Sequence, residues 1–155
     1  MAPGTFGSAL GVGLHLLLAP LGAPLYLMST AGFGLLGVAC AGRAERLLGS
    51  ADDGRIVIDE VAGQLLGLAP LAWLAAPGGS AHPLWLVTGF VAFRVLDIWK
   101  PGPVRWAERT FAGGAGVVLD DVVAGGLAAL LLVLLIALAA AAVAPGLEGG
   151  VGAGA

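Results

Sequence analysis

The sequence predicts an all-α protein: a multi-pass transmembrane bundle of about five apolar helices, the first one short, plus one interfacial amphipathic helix. Three observations carry this. Hydrophobic residues make up 59% of the chain and charged residues only 11%, whereas a soluble domain carries about 25% charge. Mean hydropathy is +0.99. Several apolar runs approach the ~20 residues that cross a hydrocarbon core of about 30 Å. The length suits one domain, expected over residues 1–144, with 145–155 (PGLEGGVGAGA) a disordered tail that has too little to bury.

The elements follow in order. Met1 to Ser8 is uncharged and glycine-rich, and Thr5 is placed to cap the helix after it. Gly7 to Ala19 reads as a first helix, stopped by Pro20 and Pro24. At a rise of about 20 Å it is short for a span. Gly7 and Gly11 form a small-xxx-small pair that admits a close neighbour, and His15 reads as a hydrogen-bonded packing residue. Leu25 to Ala41 is the second span. A polar loop follows, with Arg43, Glu45, Arg46, Asp52, Asp53 and Arg55.

Ile56 to Ala76 is the third span, with Asp59 and Glu60 near its start and a second close-packing pair, Gly63 and Gly67. Pro77 to Pro83 is a turn in which His82 is a solvated loop residue. Leu84 to Trp99 is the fourth span, ending with Arg94 and Asp97 at the i,i+3 spacing of a salt bridge. The sequence PGP then breaks the helix. Val104, Ala107 and Phe111 fall on one face of the next segment and Arg105, Glu108 and Arg109 on the other, with Trp99 and Trp106 nearby. That pattern suits a helix lying in the membrane interface. Glycines 113, 114 and 116 precede the last helix, Val117 to Val143, whose interfacial end carries Asp120 and Asp121.

All but one of the charged residues lie between Arg43 and Asp121. The two charged regions are separated by two spans, so they return to one side. All the arginines and the lysine are on it, which makes it the cytoplasmic side. The net charge of −3 is too small to imply a nucleic-acid partner. One cysteine excludes an intramolecular disulfide, and the start, lacking a basic n-region, is not expected to be a cleavable signal peptide. Oligomeric state is not legible.

Asp59, Glu60, Asp97, Asp120 and Asp121 each sit at or just inside the end of an apolar helix. Isolated carboxylates there cost several kcal/mol each, so they must be paired, protonated or metal-bound. Singly, Arg94–Asp97 reads as an ion pair, and Asp120 and Asp121 as partners of a helix dipole. Three acidic groups on three helices, all on one side, point instead to a divalent cation held by Asp59, Glu60, Asp97 and Asp121. Oxygen-only ligands favour Mg²⁺. Glycines at helix starts offer backbone N–H groups to an anion, Gly113 and Gly114 at the last helix and the segment around Thr5 at the first.

With these motifs in hand, the sequence resembles the phosphatidylglycerophosphatase A family. The blocks that carry the resemblance are PGTFGS (3–8), DDGRIVIDEVAG (52–63), FRVLDIWKPGPVRW (93–106) and GGAGVVLDDVVAG (113–125). Members usually carry a further leader before the first block. The resemblance implies an all-helical enzyme of the bacterial cytoplasmic membrane that uses Mg²⁺ to convert phosphatidylglycerophosphate to phosphatidylglycerol and phosphate. The catalytic group would then be Asp59, Glu60, Asp97, Asp120 and Asp121. Arg94, Lys100 and Arg105, with Thr5, Gly113 and Gly114, would bind the phosphate.

Competing readings are weaker. Cys40 to Arg46 has the C-x5-R spacing of cysteine phosphatases, but Cys40 ends an apolar helix rather than a strand. Neither His15 nor His82 sits in a histidine-phosphatase block. The alternative function is a cation or proton transporter built on the intramembrane carboxylates. It would want charge near the midplane and often an internal repeat, whereas these acids lie toward one boundary and no repeat is present.

Overall fold

The computed structural model describes residues 3–48, 56–74 and 82–143. Six α-helices and no strand occur among them: α1 (Pro3–Leu18), α2 (Ala23–Leu48), α3 (Ile58–Leu68), α4 (Pro83–Trp99), α5 (Gly102–Thr110) and α6 (Gly114–Val143). Five are apolar and α5 is amphipathic, as expected. Asp52, Asp53, Arg55, most of the 77–83 turn and the tail lie outside the described residues.

Helix lengths depart from the expected ones. α1 begins at Pro3, because proline suits the first helical turn, and with the 3₁₀ turn Ala19–Leu21 it is long and apolar enough to cross a membrane. Thr5 therefore lies inside the helix and does not cap it. α2 runs on to Leu48, so Arg43, Glu45 and Arg46 ride its last turns rather than a loop. α6 starts at Gly114, three residues early. The third span is the largest correction. α3 has 11 residues and breaks into a 3₁₀ turn, Ala69–Ala72, at Pro70. Its rise is about 16 Å, half a hydrocarbon core. By length and composition, α1 with its 3₁₀ turn, α2 and α6 are the candidate spans.

Being short, α3 is buried rather than lipid-facing. Val61, Ala62, Leu65 and Leu68 are all but inaccessible, and the helix is surrounded by α1, α2, α4 and α6. Lipid tails are as apolar as leucine, so helix association here depends on close packing and hydrogen bonds. Both are present. A Cβ on Gly11 would meet Gln64 at 2.8 Å, one on Gly7 would meet the Val57 carbonyl at 2.7 Å, and one on Gly125 would run into the Gly63 carbonyl. Tyr26 donates to the Leu65 carbonyl at 2.8 Å, which leaves its oxygen to accept from His15 Nδ1 at 2.9 Å. His15 thus ties α1 to α2 and α3. Leu17, Met28, Leu35, Leu130 and Leu134 point outward, where lipid would receive them.

Successive apolar helices alternate in direction. The starts of α1, α3 and α6 and the ends of α2 and α4 all line one cavity. His82, at the far end, is not a free loop residue, since its ring accepts from the Leu84 N–H at 3.3 Å and caps α4.

Candidate active site

The cavity has a volume of about 590 Å³. Among the described residues, Glu45, Asp59, Glu60, Asp97, Glu108, Asp120 and Asp121 line it, against two cationic side chains, Arg94 and Lys100. So large an acidic excess in a partly desolvated space requires protons or a cation. Asp59, Asp120 and Asp121 are 6%, 6% and 4% exposed.

Each acid is placed by its helix. Asp59 and Glu60 occupy the first turn of α3, where the dipole favours negative charge, and the Glu60 N–H donates to Asp59 Oδ1 at 3.1 Å. α6 uses the same device, the Asp121 N–H donating to Asp120 Oδ1 at 3.0 Å. Asp120 and Asp121 lie beyond the first turn of α6, so the end-of-helix dipole does not account for them. One oxygen from each of Asp59, Glu60 and Asp121 falls within 4.8 Å of the others. Glu60 Oε2 is buried and has no hydrogen-bond partner among the described residues. An orphaned carboxylate oxygen beside two others is a donor set suited to a hard cation. Asp97, also expected as a ligand, lines the same cavity but stands outside that cluster, its Oδ2 held 2.6 Å from Arg94 Nη1.

The cationic groups are fixed from α4. Arg94 also reaches Ser8 Oγ at 3.4 Å. Lys100 caps α4 in the left-handed conformation at φ 48°, an uncommon state for a residue with a side chain. It bridges Glu108 at 2.6 Å and Asp120 at 2.7 Å. Burial disfavours its ammonium, but hydrogen bonds and charge from Asp120 and Glu108 outweigh that and raise its pKa above the usual lysine range.

Three expected phosphate-binding residues are placed elsewhere. Thr5 is exposed, one residue past Gly4, and a step of 100° along α1 turns it out of the cavity that Pro3 and Gly4 line. Arg105 is exposed on the outer face of α5, whose buried side is Val104 and Ala107. Gly114 abuts α2, where a Cβ would collide with the Val38 carbonyl and Gly42. Gly113 does line the cavity, at φ 67°. Glu45 and Glu108 were not foreseen as part of the site. Their signal in the sequence is weak, since each sits beside an arginine and reads as solvated surface. Cys40 is exposed on α2 and away from the cavity.

A family profile described as phosphatidylglycerophosphatase A matches residues 1–136. The chain belongs to the phosphatidylglycerophosphatase A family. Among its relatives, the Escherichia coli phosphatidylglycerophosphatase A is 36% identical over 125 residues, covering 81% of this chain and 69% of that one. The Haemophilus influenzae phosphatidylglycerophosphatase A is 36% identical over 124 residues, covering 79% and 72%. A Bacteroides thetaiotaomicron protein, provisionally named a phosphatidylinositol-3-phosphatase, is 37% identical over 132 residues, covering 80% and 77%. No solved structure matches the chain. As a member of the phosphatidylglycerophosphatase A family, this membrane protein is a phosphatase, a phosphoric monoester hydrolase.

Proposed function

We propose that the protein removes the terminal phosphate of phosphatidylglycerophosphate, leaving phosphatidylglycerol, at the cytoplasmic face of a bacterial inner membrane, with Mg²⁺ as its ion. The observation that carries the reading is the gathering of Asp59, Glu60 and Asp121 within 4.8 Å in the cavity that also holds Arg94 and Lys100. The family membership supplies the reaction class. Arg43, Arg46, Arg105 and Arg109 are exposed on α2 and α5, whose α2 end and Glu108 reach that cavity, which supports the cytoplasmic assignment.

Asp59, Glu60 and Asp121 hold the ion. When bound, it supplies Lewis-acid polarisation of the phosphoryl group. Arg94 and Lys100 offset the charge spread over the phosphoryl oxygens. Water attacks phosphorus in line, the bond to the glycerol oxygen breaks, and that oxygen leaves as the alcohol with a proton from solvent, which Asp97 returns when it releases the proton taken from water. Asp97, steadied by Arg94, is assigned the proton taken from water. Asp120 positions Lys100.

The test is phosphate release by purified protein in mixed micelles, with phosphatidylglycerophosphate and phosphatidylinositol 3-phosphate compared, each with Mg²⁺ or a chelator. Preference for the first, dependent on Mg²⁺, is expected. Equal release in chelator sinks the ion assignment, and preference for the inositol lipid sinks the head-group assignment.

A further inference from the structure

A second cavity, of about 480 Å³, lies outside the acidic one, along the cleft between α4 and α6. We propose that it seats one fatty acyl chain of the lipid whose phosphate enters the acidic cavity. This rests on the lipid-phosphatase reading above.

The walls are Val87, Val91, Val95, Leu96 and Trp99 of α4 and Leu131 of α6. The polar group on this wall is masked, because the Thr88 hydroxyl turns back to the Leu84 carbonyl at 2.7 Å. Elsewhere leucine and methionine side chains such as Leu17, Met28 and Leu35 project from the outward surface. α4 presents shorter valine, alanine and threonine there, and the surface becomes a hollow. Val87, Val91, Val95 and Trp99 are each half or more exposed. A chain can therefore enter sideways from the bilayer, without leaving it.

Depth and position identify the occupant. From Val87 to Trp99 the helical rise is about 18 Å, close to the ~15 Å of one leaflet, half of a ~30 Å core. Trp99, a residue type that settles at head-group level, closes one end. The next residue is Lys100, a wall of the acidic cavity. The two cavities thus meet along the chain at Trp99 and Lys100, and a lipid with its phosphate beside Lys100 would extend one chain toward this hollow. The other chain stays in the bilayer. Contacts remote from phosphorus would be spent on aligning the ester for attack.

The experiment uses the full chain in mixed micelles with phosphatidylglycerophosphate carrying a diazirine midway along one acyl chain. Photo-adducts are expected on the α4 and α6 walls, and unlabelled substrate should suppress them. Adducts spread equally over Leu17, Met28 and Leu35, and not suppressed, would mean bulk lipid alone and overturn the proposal. A second arm fills the hollow with Val91→Trp. The KM for a long-chain substrate should rise about tenfold relative to that for the dihexanoyl form. An equal change in both, or a change of oligomeric size that assigns the cleft to a second copy, would also overturn it. Wild-type protein that releases no phosphate from either lipid sinks the catalytic reading instead, while the adduct map still reports on the hollow.

Discussion

Lys100 Nζ lies 2.7 Å from Asp120 Oδ2, which joins the end of α4 to α6, the helix that also carries Asp121. The link is made from a left-handed backbone, at φ 48°. Two separable costs follow. Lys100→Ala removes the partner of a nearly buried carboxylate and should destabilise by about 2 kcal/mol, less than the ~3–5 kcal/mol of a fully buried pair because Lys100 is 26% exposed. Lys100→Gly loses the same ammonium but relieves the left-handed strain, so it should be about 1 kcal/mol more stable than Lys100→Ala. Thermal unfolding of both variants in detergent checks the order. Both should lose phosphate release, and a Lys100→Ala protein with wild-type turnover would remove Lys100 from the site.

The cluster of Asp59, Glu60 and Asp121 predicts stabilisation by its ion. A ligand at a hundredfold excess over its Kd adds about 2.7 kcal/mol, which should move the unfolding midpoint up by several degrees. Asp121→Asn keeps the shape of the side chain and removes its charge. In that variant the Mg²⁺-dependent shift should be lost, while the unfolding midpoint without Mg²⁺ stays at or above that of wild type, since one buried like charge is gone. A shift that persists in Asp121→Asn would place the ion elsewhere.

Much of this was legible because charge is scarce in the chain. Asp59, Glu60, Asp97, Asp120 and Asp121 stand out against apolar surroundings, and the alternation of spans puts them on one side. The length of α3 was legible too, in Pro70, but the apolar run continued through it to Ala76 and hid the break. Helical phase explains the exchange of Thr5 for Gly4, which no composition signal separates. Glu45 required knowing that α2 continues past Ala41 and ends against Gly113, where a Cβ would lie 3.1 Å from the glutamate. That contact exists only in the tertiary fold.

The two arginines of the FRVLDIWKPGPVRW block should part company. Arg94 is half-buried, paired with Asp97 and inside the cavity, so Arg94→Ala should reduce kcat by about a hundredfold, the scale of losing one charge-stabilising group. Arg105 is exposed and lines no part of the cavity. Arg105→Ala should change kcat less than twofold, and any effect should appear as weaker attachment to anionic micelles. Steady-state kinetics on neutral and anionic micelles separates the two. A hundredfold loss in Arg105→Ala would mean that α5 closes over the substrate.

Gly63 and Gly67 look alike in sequence, and the structure makes them unequal. A Cβ on Gly63 would meet the Phe93 ring at 2.6 Å and the Asp121 carbonyl at 2.7 Å. The second is backbone and cannot step aside without moving α6. On Gly67 the nearest atom is the Ala128 Cβ at 3.4 Å, an ordinary contact. Gly63→Ala should therefore cost about 2 kcal/mol, as overpacking does, and should push Asp121 away from Asp59 and Glu60. Activity should fall further than stability alone accounts for, with a raised Mg²⁺ requirement as the signature of a spread ligand set. Gly67→Ala should stay within about 0.5 kcal/mol of wild type, as substitutions away from such clashes do. Unfolding midpoints and Mg²⁺ titrations of the two variants decide it. Equal behaviour would mean that α3 and α6 are not held in contact at Gly63.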